Sequence, residues 1–192
     1  MEARAAYEAA VEAWTARVLQ VGPEQWAAPT PCTEWDVRAL VNHVVGEDLW
    51  TGPLMRGATI AEVGDRFDGD LLGDQPRETA LEAAREAVAA VAETLPSHGV
   101  VHLSYGDEQA DEYVAQLTAD HVVHAWDLAA ATGSSTEFDA DLTATVAAWF
   151  AGREEMYRSA GIIGPRAKAA GDDPWSMLLA ASGRDARWAA AK

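Results

Sequence analysis

Apolar residues recur every three or four positions along most of this 192-residue chain, a spacing that is typical of amphipathic helices. The pattern predicts five of them, over residues 3–20, 33–51, 76–95, 107–132 and 138–159. Thr33 offers a hydroxyl cap for the second, Pro76 suits the first turn of the third, and Gly133 ends the fourth. The predicted fold class is therefore all-α, a four-helix bundle with a long connection between helices two and three.

The segments between these helices predict how the domain is organised. Residues 52–75 contain six glycines or prolines and no sustained period, so we expect a long loop with one helical turn at most. Residues 99–106 are β-branched and bounded by glycines, and we expect them to be extended but too short for a sheet of their own. We predict a single domain, with a bundle over 1–160 and a tail over 161–192 whose short apolar helix, near 174–184, packs on the bundle.

Charge and composition narrow the classes of function. A formal net charge of −17 and a pI near 4.5 argue against binding to nucleic acid or to anionic membranes, because both need clustered lysine and arginine. No run of 18 apolar residues occurs, and the first residues lack the basic and apolar regions of a signal peptide. The single cysteine, Cys32, cannot form an internal disulfide. We therefore expect a cytoplasmic protein.

The candidate chemistry lies on the fourth predicted helix. Asp120 and His124 are four residues apart, so they project from one helix face, and that face is otherwise apolar. Buried carboxylates and imidazoles are costly unless they are paired or bind a metal. His43, on the second helix, is the best third ligand, and three nitrogen or oxygen ligands with an open position are typical of catalytic zinc. The alternative is a metal-free bundle in which Asp120 bonds one of the histidines.

Neighbouring residues leave further alternatives open. His121 could replace Asp120 as a ligand, or it could lie at the edge of the helix face. Asp127 could accept a hydrogen bond from an imidazole N–H, or it could be solvated. Glu47 is expected to be solvated or to lie behind the ligands. Cys32 precedes a helix N-terminus, where a thiolate is stabilised, but a structural role is the simpler interpretation.

Three segments, residues 30–43, 120–129 and 182–185, resemble actinobacterial metal-binding proteins related to mycothiol-dependent maleylpyruvate isomerase, within the DinB-like bundle superfamily. The resemblance implies a DinB-like four-helix bundle that binds a divalent metal, zinc in the isomerase, through His43, Asp120 and His124. It also implies mycothiol, a low-molecular-weight thiol, as co-substrate. Two features differ: the isomerase has glutamate where this chain has Asp120, and it carries a larger C-terminal domain in place of the short tail.

Two classes of function follow from this resemblance. The first is a metal- and thiol-dependent isomerase or transferase that acts on an electrophilic substrate, with Arg153, Arg158 or Arg166 as candidates to hold a substrate carboxylate. The second is a non-catalytic, metal-containing protein that binds a small ligand or serves as an accessory. Eight tryptophans provide material for an apolar interface, which is compatible with a homodimer.

Overall fold

A computed structural model describes residues 1–189 of the chain and confirms the predicted all-α class. Within these residues, two short strands accompany the helices, and none of the helices has the length and apolar character needed to cross a membrane. In chain order the elements are α1 (Ala3–Val18), α2 (Val37–Met55), α3 (Ile60–Val63), α4 (Pro76–Thr94), β1 (Val100–Leu103), β2 (Gly106–Gln109), α5 (Ala110–Thr132), α6 (Ala140–Ala151), α7 (Glu154–Ser159) and α8 (Pro174–Ala181).

Four long helices form the bundle. α1 packs along α5 and α2 along α4, while α1 also contacts α4 and α2 contacts α5. Their apolar positions meet in a core that fully buries Tyr7, Trp14, Leu40 and Leu128. α5 is buried on nearly all sides, because α1, α2 and α6 all pack against it. α8 in turn packs on α6. Side chains of α5 therefore lie among several other elements.

The start of α2 differs from the prediction, because Asp36 caps the helix rather than Thr33. The Asp36 carboxylate accepts a hydrogen bond of 2.8 Å from the Ala39 amide. The residues before it form a turn in which the buried Thr30 hydroxyl donates to the Trp35 carbonyl at 2.8 Å. The turn is closed by an isolated β-bridge between Pro29 and Asp36. The helix therefore begins after Asp36, and Thr33 lies three residues before the cap.

Residues 99–106 are largely extended, as expected, but the expectation that they are too short for a sheet was wrong, because they contribute to a two-stranded antiparallel sheet. β1 pairs with β2, with Val100 opposite Gln109 and Leu103 opposite Gly106. β2 has the sequence Gly-Asp-Glu-Gln, with no apolar alternation, and most of it is exposed. Its pairing therefore could not be predicted from hydrophobic periodicity, and α5 begins at Ala110, a little later than expected.

The remaining connections follow the prediction with shifted boundaries. α2 extends to Met55, and the single turn of α3 lies in the 52–75 connection, capped by Thr59 and Glu62. The predicted fifth helix is interrupted at Gly152, which separates α6 from α7. The predicted tail reached residue 192, and its residues 190–192 lie outside the described part of the chain.

Candidate metal centre

Three side chains from two helices of the bundle meet in one cluster. Asp120 and His124 project from one face of α5, and His43 reaches them from α2, which packs against α5. One nitrogen or oxygen atom from each lies within 4.8 Å of the others. His43 Nε2 is 3.5 Å from Asp120 Oδ2, and His124 Nε2 is 3.3 Å from Asp120 Oδ1. The side chains that the sequence singled out are therefore neighbours in the fold.

These three side chains fit a small divalent cation. Tetrahedral zinc with bonds of about 2.0–2.1 Å keeps its ligand atoms roughly 3.3–3.4 Å apart, close to both separations given above. Asp120 Oδ2 is buried and has no hydrogen-bond partner, although a third of the Asp120 side chain is exposed. A buried acceptor without a partner is costly, and a cation would satisfy it. Two imidazoles and a carboxylate suit zinc and other first-row divalent metals.

A buried ion pair orients His124. Its Nδ1 lies 3.0 Å from Asp127 Oδ2, so the Nδ1–H donates to a carboxylate and Nε2 faces Asp120. Asp127 is fully buried and accepts two hydrogen bonds from Arg184, 3.1 Å to Nε and 2.7 Å to Nη2. Of the two interpretations of Asp127, the structure supports the partner of an imidazole. A carboxylate in this position fixes the tautomer and ring direction of a histidine ligand.

The same contacts determine the charges of the metal-free site. Burial works against a charged His124, but Asp120 and Asp127 outweigh it and raise the pKa of His124 to about 9. Burial likewise works against a charged Asp120, yet His124 and His43 hold the pKa of Asp120 well below its usual range. The site without metal therefore contains an imidazolium ion between two carboxylates at neutral pH.

His121 does not join the three candidate ligands. It is fully buried, its Nδ1 donates to the Leu117 carbonyl at 2.8 Å, and its Nε2 lies 3.2 Å from Asp48 Oδ1 of α2. The side chain of Asp48 is also fully buried. This second His–Asp pair was not anticipated from the sequence, because Asp48 lies 73 positions from its partner.

The candidate ligands open into a cavity of about 380 Å³, to which α2, α5, α6, α7 and the tail contribute. Glu47 and Cys32 line it beside the ligands. Burial and the nearby Asp120 raise the pKa of Glu47, and burial raises the pKa of the Cys32 thiol despite Arg184, whose Nη2 lies 3.6 Å from the sulfur. Cavities of this size are typical of small-molecule sites.

Trp35 and Arg184 are site residues that sequence reasoning missed. The Trp35 ring packs on His43 with 4.7 Å between ring centroids and lies 5.8 Å from the His124 ring. Arg184 comes from the tail and reaches Asp127 across 57 residues of sequence. The presence of a carboxylate on the most buried helix was the one signal for such a partner, since a buried acid requires a cation or several donors.

The protein is thus a helical bundle with a candidate metal site, a His–Asp–His cluster that opens into a cavity. The family model described as the mycothiol maleylpyruvate isomerase N-terminal domain matches residues 7–129, and the chain belongs to this family. The match points to a mycothiol-associated, DinB-like group of metal-binding domains, and it includes all three candidate ligands.

Two proteins of Mycobacterium tuberculosis, from the CDC 1551 / Oshkosh and H37Rv strains, are each 30% identical to this chain over 176 residues. The alignment covers 89% of this chain and 85% of each relative, and both relatives are described as uncharacterized. No solved structure matches the chain significantly.

Proposed function

We propose that this protein binds a divalent metal, zinc, through His43, Asp120 and His124 and uses it to activate mycothiol or a similar low-molecular-weight thiol. The observation that carries the proposal is that the three ligand atoms lie together beside a cavity. Within residues 1–189 this group has three members, which would leave one corner of a tetrahedral ion for a small molecule. Family membership supports the choice of thiol.

Zinc supplies one chemical property, a lowered pKa of a coordinated thiol, so that the thiolate is available near neutral pH. The protein supplies the orientation of the ligands. Asp127 holds the His124 ring so that Nε2 faces the site, and Arg184 fixes Asp127. Trp35 covers the ring of His43 and limits its rotation. Both histidine ligands would therefore be held in place before metal or thiol arrives.

The reaction would join the thiolate sulfur to an electrophilic carbon. If the sulfur adds to a conjugated double bond, rotation about the new single bond followed by loss of the sulfur gives the cis–trans isomer. If the neighbouring carbon takes up a proton instead, the thioether is the product. The two outcomes share the first bond-forming step, and they correspond to isomerase and transferase activity respectively.

Titration calorimetry with mycothiol tests the proposal. Zinc-loaded protein should bind mycothiol with a measurable heat, whereas the metal-free protein should not, because the thiol has lost its charge partner. S-methylated mycothiol is the matched control ligand, since it keeps the sugar portion but cannot form a thiolate. Absence of heat at millimolar mycothiol with zinc-loaded protein would contradict the proposal.

A second candidate is a metal-containing binding protein without turnover. The arginines suggested for a substrate carboxylate favour this candidate, because each pairs with a carboxylate of the protein and none lines the cavity. The two candidates differ in one measurement. A binding protein would give the calorimetric signal but would not consume thiol when electrophiles are added.

Zinc affinity should rise with pH up to about 9 and change little above it. His124 must be neutral to bind metal, and Asp120 and Asp127 raise the pKa of its metal-free form to about 9. Protons therefore compete with zinc below that pH, and apparent affinity should fall by about tenfold per pH unit. Competition with a chromophoric chelator between pH 6 and 9 measures this. Asp127→Asn removes one cause of the raised pKa and should move the rise to lower pH, whereas a flat profile for the unaltered protein would contradict His124 as a ligand.

A further inference from the structure

The cavity beside the candidate ligands has one apolar half. Its walls there are formed by Trp149 and Phe150 of α6, Tyr157 of α7 and Ile163 of the segment that follows, which belong to one hydrophobic cluster. The rings of Phe150 and Tyr157 are stacked, with 5.8 Å between centroids and 13° between planes. A wall of flat rings and branched side chains favours a flat, apolar ligand.

The charged groups that line the same cavity disfavour an anion. Glu47 and Asp120 are acidic, and the two histidines that line the cavity, His43 and His124, are already paired with Asp120. Among residues 1–189, Arg184 is the one lysine or arginine that lines it. Its guanidinium is already engaged by both oxygens of Asp127 and by the Ser182 carbonyl. A second anion would have to compete with Asp127 for this arginine, and a buried carboxylate without a partner is strongly disfavoured.

The three arginines that the sequence suggested for a substrate carboxylate are all paired with carboxylates of the protein, although Arg153 stacks on Trp149 of the cavity wall. Arg153 makes two hydrogen bonds to Glu112, at 2.5 and 2.6 Å. Arg158 and Arg166 both pair with Glu154. None of the three lines the cavity, and each already has a carboxylate partner. The expected anchor for a carboxylate is therefore absent from the cavity within the described residues.

Most of the apolar half also lies outside the part of the chain that matches the family model. That match ends at residue 129, whereas Phe150, Tyr157 and Ile163 follow it. The ligand-binding end and the apolar end of the cavity thus come from different portions of the sequence. The family match therefore does not indicate which ligand the apolar end would bind, and the residues that line that end are the basis for inferring it.

We infer that the apolar half of the cavity receives an uncharged, conjugated or aromatic electrophile rather than one that carries a carboxylate. The inference rests on the proposed function for the reaction that the electrophile undergoes, but its binding can be tested without zinc or thiol. Cinnamamide and cinnamate are suitable probes, because they share a flat conjugated skeleton and differ in charge. The uncharged amide should bind, and the carboxylate should be rejected.

Nitrogen-15 NMR titration of the full-length protein provides the test. Cinnamamide should shift the indole signal of Trp149, which lines the cavity, and leave that of Trp175, which packs on Phe138 outside it. The comparison with cinnamate is made in zinc-free protein, where a carboxylate cannot bind the metal, and cinnamamide should bind at least about tenfold more tightly. Cinnamamide binding should persist when zinc is present.

Two variants at the cavity mouth isolate the effect of charge. Ile162 lines the cavity and is 65% exposed, so its replacement should not disturb folding. Ile162→Arg should raise the affinity for cinnamate about tenfold, while Ile162→Gln, which is polar but uncharged, should leave the preference for cinnamamide unchanged. Equal binding of the two probes by the unaltered protein, or no shift of Trp149 with either, would overturn the inference. A failure of zinc or thiol binding would leave these titrations unaffected.

Discussion

Replacement of Asp48 by alanine should lower the free energy of unfolding of the metal-free protein by about 3–5 kcal/mol, the cost typical of breaking a buried ion pair. Asp48 and His121 are both fully buried, with 3.2 Å between Asp48 Oδ1 and His121 Nε2. Burial works against a charged His121, but Asp48 outweighs it and raises the pKa of His121. Without Asp48, the buried Nε2 of His121, which makes no hydrogen bond in the structure, would also lose the opposite charge beside it. Urea denaturation followed by circular dichroism measures the change.

Two comparisons make this prediction specific. Glu93→Ala removes an exposed partner of Arg56 and should change the free energy of unfolding by less than about 1 kcal/mol. The double variant Asp48→Leu with His121→Leu removes both members of the buried pair and should be clearly more stable than Asp48→Ala alone, because neither member is left behind without the other. A loss of less than about 1 kcal/mol in Asp48→Ala would show that the pair does not stabilise the bundle.

The helices could be predicted from the sequence because their apolar positions repeat over several turns. α1, α4 and α5 each keep a buried stripe through their length, and the predicted segments match them closely. The hairpin could not be predicted, since β2 is polar and is stabilised by backbone pairing with β1. The cap of α2 was misplaced because the turn before it depends on Thr30, whose hydroxyl bonds span five residues without a periodic signal.

The candidate site divides in the same way. Asp120 and His124 share a helix face, so their proximity follows from helical geometry. His43 was the third ligand proposed from the sequence, and the family resemblance implied the same residue. Trp35 and Arg184 escaped notice because their contacts cross from a turn and from the tail, and local spacing does not predict such contacts. The positions of Trp35 and Arg184 thus depend on tertiary packing. These two residues in turn determine how the histidine ligands are oriented.

Replacement of His43 by alanine should reduce zinc affinity by more than about 100-fold, beyond the 10–100-fold effect of losing a partner behind a ligand. Two ligands from α5 would remain, and a site with two protein ligands lacks the three that catalytic zinc usually has. The His43 side chain is 29% exposed, so the bundle should fold without it. Metal analysis of protein purified without a polyhistidine tag should find about one zinc per chain in the unaltered protein and far less in His43→Ala.

His102→Ala is the matched control, because His102 is also partly exposed and also pairs with a carboxylate, Asp107, at 2.7 Å, but on the hairpin. It should retain the zinc content of the unaltered protein. Equal zinc content in all three proteins would place the metal elsewhere, and no zinc in any of them would favour a metal-free bundle in which Asp120 pairs with the two histidines. If zinc is lost only in His43→Ala, the cation in the unaltered protein must be bound by His43 of α2 together with the ligands of α5. That is the arrangement that thiol activation requires.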